Sequence, residues 1–267
     1  MDTNSRFHNI VWSELEETIS PRDIRRYVQL ACVLEPISEK EGCTTRSKDL
    51  NQYQRLEYFL VAGINIGDSF EDLASRLQTN EFPCLTYELC YRAQADSKKN
   101  RRGGRANQGI IEFLFPIIIS QIVNETNSPE EIITNIPTTL SKTLPEDTIF
   151  LQKMQNLAFE MSGYHHRMFE IIEEENILEY YKKRLSNSSK PSDIYHNKEI
   201  VDNYPTLRKM WYYQQSQEHS DLSESMKNIY DQEKSANPTM PKGMIADLIA
   251  CTIYLKFINN QTAKIVK

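Results

Sequence analysis

An all-α fold is predicted for this chain, on three observations. Only eight glycines occur in 267 residues and alternating apolar–polar runs are scarce, so strands and tight hairpins have little support. Apolar residues recur at helical spacing, as Ile24, Val28 and Ala31 do. Helix-start punctuation recurs as well: a short polar cap residue, then proline at the first helical position.

The first element follows Ser20-Pro21, which places a cap before proline and the Ile24, Val28, Ala31 stripe behind it. Residues 35–46 read as a long loop. A second helix is expected over about 48–62, and a third behind Ser69 and Asp72, a weak capping pair that leads into Leu73, Ala74 and Leu77. Residues 86–96 form the next. The most apolar stretch, 110–123, lies in a helix expected over about 105–124; it should be buried all round and kinked at Pro116, which removes a backbone donor.

Ser128-Pro129-Glu130-Glu131 is the strongest start signal, with cap, proline and a glutamate at the capping-box position. Helices over 146–161 and 165–185 follow, separated at Gly163. The polar run 186–192 is the expected boundary between an amino-terminal lobe, 1–185, and a smaller carboxy-terminal lobe, 193–267. Beyond it, helical periodicity resumes over 205–217 and 222–233. A last helix over about 244–258 is apolar on nearly every side and is expected to insert into the core.

Hydrophobic residues make up 39% and charged residues 25%, values that exclude a disordered chain. Five cysteines carry no CxxC pair, and Cys84 and Cys90 stand too far apart for a zinc knuckle. Residues 1–10 lack the apolar core of a secretory signal, and 110–123 is too short to span a bilayer. These features together predict a soluble, intracellular protein, cytoplasmic rather than nuclear, with no membrane partner.

A net charge of −6 argues against a uniformly basic nucleic-acid coat, so any polyanion contact must be local. The local candidate is Lys98-Lys99-Asn100-Arg101-Arg102-Gly103-Gly104-Arg105, with five cations in eight residues. Its glycines would allow close approach to a phosphate, and a helix starting near Arg105 would aim unpaired N–H groups at it. It is not a nucleotide-hydrolysis loop, because GxxxxGK[ST] is absent and no cofactor is called for. A solvated surface loop, a targeting signal or a contact for an acidic protein would use the same charges.

Two further basic groups are candidates to enlarge the surface. Arg22, Arg25 and Arg26 share one helix face at i, i+3 and i+4. Lys182, Lys183 and Arg184 close a helix, where cations suit the dipole in any case. Tyr180-Tyr181 and Trp211-Tyr212-Tyr213 are candidate stacking surfaces for unpaired bases, with core packing as the alternative.

Three functional classes follow. The first is a helical protein that binds single-stranded RNA or another polyanion, of the nucleoprotein or packaging kind, with self-association possible. The second is a helical protein–protein interaction module. The third is a metal-dependent helical enzyme built on His165, His166 and Glu170, in which His166 and Glu170 would share a helix face at i and i+4. The third lacks a Glu-x-x-His partner motif on another helix.

Overall fold

In a computed structural model the chain is described over residues 19–216 and 221–262. The polar segment 1–10 lies outside these residues. Among the described residues the secondary structure is helical and no strand forms, so the fold is all-α. The helices are α1 (Pro21–Leu34), α2 (Leu56–Asn65), α3 (Gly67–Thr79), α4 (Tyr87–Asp96), α5 (Gln108–Val123) and α6 (Pro129–Leu140). They continue with α7 (Pro145–Met161), α8 (Ile177–Asn187), α9 (Pro191–Val201), α10 (Pro205–Gln215), α11 (Leu222–Ala236) and α12 (Lys242–Thr262).

Two of the capped starts form as local chemistry dictates. Ser20 Oγ accepts from Asp23 N at 3.2 Å and Asp23 reaches back to Ser20, a closed capping box at α1. Ser128 Oγ accepts from Glu131 N at 3.4 Å at α6. The apolar helix α5 is buried continuously from Ile110 to Gln121 and runs through Pro116. It packs against α3, α4, α6 and α12, which places it at the centre of the molecule. In α12, Ile245, Leu248, Ile249, Ile253, Tyr254 and Leu255 are buried against α1, α5, α10 and α11. One contiguous apolar cluster takes in residues from Ile19 to Ile258.

Four stretches depart from the expected pattern. The helix expected over 48–62 begins only at Leu56. Upstream, Asp49 Oδ1 accepts from Leu56 N at 2.8 Å and Asn51 Oδ1 from Tyr53 N at 2.9 Å. Such side-chain acceptors offer the backbone turns in place of helix. Helix α5 starts at Gln108 rather than near Arg105, because Asn107 takes the left-handed conformation at φ 58°.

The third departure is the largest. No helix spans 165–185: after Gly163 at φ 71° comes a single 3-10 turn, His165–Arg167, and then an extended strap, 168–175. The strap is held along α7 by polar side chains one turn apart. Asn156 exchanges two hydrogen bonds with the Phe169 backbone and Gln152 two with Ile172, while Thr148 Oγ1 accepts from Glu174 N. That stripe satisfies the backbone groups a helix would otherwise pair internally. The polar break at 186–192 is also shorter than expected. Helix α8 continues to Asn187 and α9, which the sequence pattern did not suggest, starts at Pro191.

Candidate anion-binding cleft

The loop at 98–105 is folded upon itself. Lys98 Nζ donates to the Gly103 carbonyl and Arg101 Nε to that of Ser97. Arg101 Nη1 donates to Gly104 O at 2.7 Å and to Arg102 O at 3.2 Å. Lys99 pairs with Asp96 at 2.5 Å. Burial holds the Arg101 guanidinium down to about 10 and shifts Lys98 downward too. Lys98 and Arg101 therefore serve as internal donors that close a turn around Gly103, whose φ is 89°. Arg102 is exposed, and its side chain makes no hydrogen bond or ion pair among the described residues.

On α1, Arg25 pairs with Asp68 at 2.9 Å and Glu71 at 3.0 Å, and Arg26 with Asp23 at 3.0 Å. Arg22 is exposed. None of the three lines the cleft beside the loop. Lys182 and Lys183 are paired with Glu179 and Glu174 at 2.8 and 2.6 Å. The aromatic candidates are mostly core: Tyr180, Tyr181 and Trp211 are buried, and only Tyr212 of the set is well exposed.

Arg105 differs from the rest of the loop. Its backbone N–H reaches Ser162 Oγ at 3.4 Å, and its side chain turns into a cleft of about 340 Å³ between α5, α7, α8, α9 and α12. Arg105, Arg167 and Arg184 supply the cations of the lining, with Glu112, His196 and Asp247 deeper in. The Arg105 and Arg167 guanidinium carbons lie 5.8 and 4.8 Å from the centroid of the same Phe159 ring. Arg184 lies 4.6 Å over Phe169, on the strap. Flat guanidinium groups stacked on aromatic faces are pre-organised and keep their N–H edges available. Among the described residues Arg105 donates to Gln108 Oε1 at 2.7 Å, and neither it nor Arg184 has a carboxylate partner. Arg167 approaches Asp193 at 3.5 Å.

The floor of the cleft is a buried polar network around Glu112. This carboxylate, 3% exposed, accepts from Tyr181 Oη at 2.8 Å and from Gln155 Nε2 at 2.5 Å, and His196 Nε2 lies 3.0 Å away. Tyr180 Oη donates in turn to Gln155 Oε1 at 2.5 Å. Burial opposes ionisation of Glu112, but His196 and the two donors outweigh it and hold the carboxyl down to about 2. The Glu112 charge correspondingly raises His196 against its own burial.

Asp247 is the opposite case. Burial, reinforced by the charge of Glu35, pushes its carboxyl up to about 8. Its Oδ2 rests against Gly109, where an added Cβ would come within 2.0 Å, so only glycine admits the helix at this point. A raised folded-state value means that the folded protein holds this proton more tightly than the unfolded chain does. The stabilisation is complete below about pH 4 and is lost as pH rises towards 8. Asp247→Asn is therefore expected to flatten the alkaline side of the stability profile, gaining about 3–4 kcal/mol on the parent between pH 5 and 8.5. Urea unfolding at the two pH values reads this directly. An equal alkaline loss in both proteins would show that Asp247 does not titrate in that window.

A second cavity, of about 480 Å³, adjoins the first. It shares Gln54 and Arg105 and is lined further by Gly103, Gly104, Ser162, Tyr53 and Tyr164. Tyr53 and Tyr164 are 63% and 44% exposed, unusual for rings of this size. Two exposed tyrosine rings and the Gly103–Gly104 backbone thus line a cavity that adjoins the arginine-lined cleft at Gln54 and Arg105.

His165 and His166 are exposed on the 3-10 turn, and Glu170 lies on the extended strap. The shared helix face expected for His166 and Glu170 does not exist, because the chain leaves the helix at Gly163. Among the described residues no group of His, Cys, Asp and Glu is placed to hold a metal ion. No helix of the described residues is long and apolar enough to cross a membrane.

Of the expected basic residues, Arg105 and Arg184 reach the cleft, while Arg101 and Arg102 line a separate shallow depression with Tyr58. Glu112, His196 and Asp247 were missed. Their available signal was charge out of place: Glu112 and Asp247 interrupt the two most apolar helical runs, and a buried carboxylate requires partners. The chain matches no protein-family model, no curated protein and no solved structure.

Proposed function

We propose that the protein binds single-stranded RNA through its backbone phosphates, in the manner of a nucleoprotein or packaging protein. The observation that carries this reading is the pair of cavities that adjoin at Arg105. Three guanidinium groups stacked on aromatic rings face one cleft, and two exposed tyrosines flank the adjoining cavity. Arginines fixed on ring faces suit phosphate oxygens, and open rings suit unpaired bases of any sequence. The arginine-lined cleft takes residues from both sides of the boundary that we place between residues 1–185 and 193–267. It also moves the binding surface from the loop as a whole to Arg105 and two arginines outside the loop.

Fluorescence anisotropy with a labelled single-stranded RNA, titrated across a salt series, tests the reading. Arg105/Arg167/Arg184→Gln is expected to weaken binding about a hundredfold at low salt and to flatten the log–log salt slope by about two. Lys99/Arg102→Gln, which removes the same kind of charge from the loop surface, should cost only a few-fold. Circular dichroism and thermal unfolding confirm that both variants remain folded. Parental affinity in the triple variant, or no RNA binding by the parent, overturns the proposal; the latter leaves the protein-interaction reading.

A further inference from the structure

The cleft is unlike a simple phosphate track in two respects. It is blind: the buried Gln155 and Glu112 line its inner end, backed by Tyr180 and Tyr181, whose hydroxyls bond them. Its charge is also unbalanced in a particular way. Arg105, Arg167, Arg184 and His196, whose protonated form the Glu112 charge favours, face the carboxylates of Glu112 and Asp193, while burial pushes the Asp247 carboxyl up to about 8. Beyond the Glu112–His196 pair, three guanidinium groups face the single carboxylate of Asp193. A backbone phosphodiester carries one negative charge, whereas a phosphomonoester approaches two at neutral pH.

Geometry makes the same distinction. His196 sits at the floor, packed against Phe113 at 4.5 Å between ring centroids and 3.0 Å from Glu112. A diester reaching that depth would have to carry the chain in and out again through one mouth. A chain end has only one connection and enters without reversing. The volume of about 340 Å³ lies at the small end of the range for organic ligands, room for one terminal nucleotide and little more.

Resting on the RNA reading above, we propose that the cleft receives the phosphomonoester end of the strand. Arg105, Arg167 and Arg184 hold its oxygens, His196 supplies a further donor at the floor, and the next bases lie over Tyr164 and Tyr53. Asp193, already facing Arg167, is the acceptor available to the terminal ribose hydroxyls.

The test compares four forms of one short RNA of fixed sequence on the parent protein: 5′-phosphorylated, 3′-phosphorylated, both, and with hydroxyls at both ends. Adenosine 5′-monophosphate and adenosine 3′-monophosphate serve as competitors. One phosphorylated end is expected to bind about tenfold tighter than the all-hydroxyl strand, and the matching mononucleotide to displace it. Which of the two ends wins assigns the polarity. In His196→Asn and in Arg105→Gln the ratio between phosphorylated and hydroxyl strands should fall towards one. Because this ratio is taken within a single variant, partial loss of folded protein does not affect it.

Equal affinity for all four RNAs, with all of them weakened by the triple arginine variant, overturns the end-binding inference and leaves the strand reading intact. A tenfold preference that survives both His196→Asn and Arg105→Gln also overturns it, since the end would then bind elsewhere. If no RNA binds but a mononucleotide does, the cleft is a phosphomonoester receptor and the RNA reading fails. Failure of both RNA and mononucleotides to bind removes both proposals.

Discussion

Glu112→Ala is expected to lose about 3–5 kcal/mol of folding stability, enough to unfold a marginal domain. The substitution removes the acceptor on which Tyr181, Gln155 and His196 converge, inside a helix buried on every side. Two donors and a cationic ring are then left without a partner in a site that water reaches poorly. Glu112→Gln keeps the shape but loses the charge that supports a protonated His196, and should fall between the parent and the alanine variant.

The same group sets a pH signature. Its folded-state value near 2 lies below the usual carboxylate range, so its contribution is present above about pH 4.3 and is lost as pH falls through 2. His196 acts in the opposite direction, because its titration is raised. Its contribution is complete below about pH 6.5 and disappears as pH rises through the raised value. The ion pair therefore stabilises most between these limits. Urea unfolding of parent and variant from pH 2 to 9 should show the difference between them shrinking at both extremes. A difference that stays constant with pH, or an alanine variant within about 1 kcal/mol of the parent, would exclude Glu112 as the electrostatic centre of the cleft.

The second large effect is expected at Asp147, in the first turn of α7. Its carboxylate is fully buried and caps two helices at once. It accepts from Leu144 N at 3.0 Å at the start of its own helix and from Thr86 N and Tyr87 N, both at 2.8 Å, at the start of α4. Thr86 supplies no side-chain cap of its own, so the α4 terminus depends on a residue 61 positions away. Asp147→Ala orphans two buried N–H groups and a part-buried third and should cost about 3 kcal/mol or more. Asp147→Asn keeps one acceptor oxygen and should cost roughly half of that. Amide exchange at Thr86, Tyr87 and Leu144 should accelerate in the alanine variant ahead of global unfolding. Unchanged protection at Thr86 and Tyr87 would mean that α4 does not rely on this tertiary cap.

These two carboxylates explain why the arginine cleft holds its shape. Helix α4 packs on α7, and α7 carries the Thr148, Gln152, Asn156 stripe that lays out the strap beneath Arg184. Glu112 ties α5, α7, α8 and α9 together beneath Arg105. The cations were available from composition. Their convergence depends on acids and amides buried behind them.

How much of this was legible beforehand divides along the range of the interactions. The all-α class, the starts of α1 at Ser20-Pro21 and α6 at Ser128-Pro129, and the burial of α5 could be read from residues three or four positions apart. Caps, proline placement and apolar periodicity act over that distance, so the chain itself contains the relevant partners. The basic loop was legible as a charge cluster, but not in its use. Whether Lys98 and Arg101 face solvent or close their own turn depends on where Ser97, Gly103 and Gly104 carbonyls point.

The remainder was decided by tertiary structure alone. The strap at 168–175 contains glutamates and apolar residues compatible with helix, and it is extended because α7 offers its backbone competing partners. The cleft brings Glu112 to His196 across 84 positions and sets Asp247 against Gly109 from the far end of the chain. Pairings of that range leave no periodic trace, because desolvation and charge act through space once the helices have packed. The sequence alone marked these sites only as two carboxylates out of place in apolar helices, and packing gave them partners.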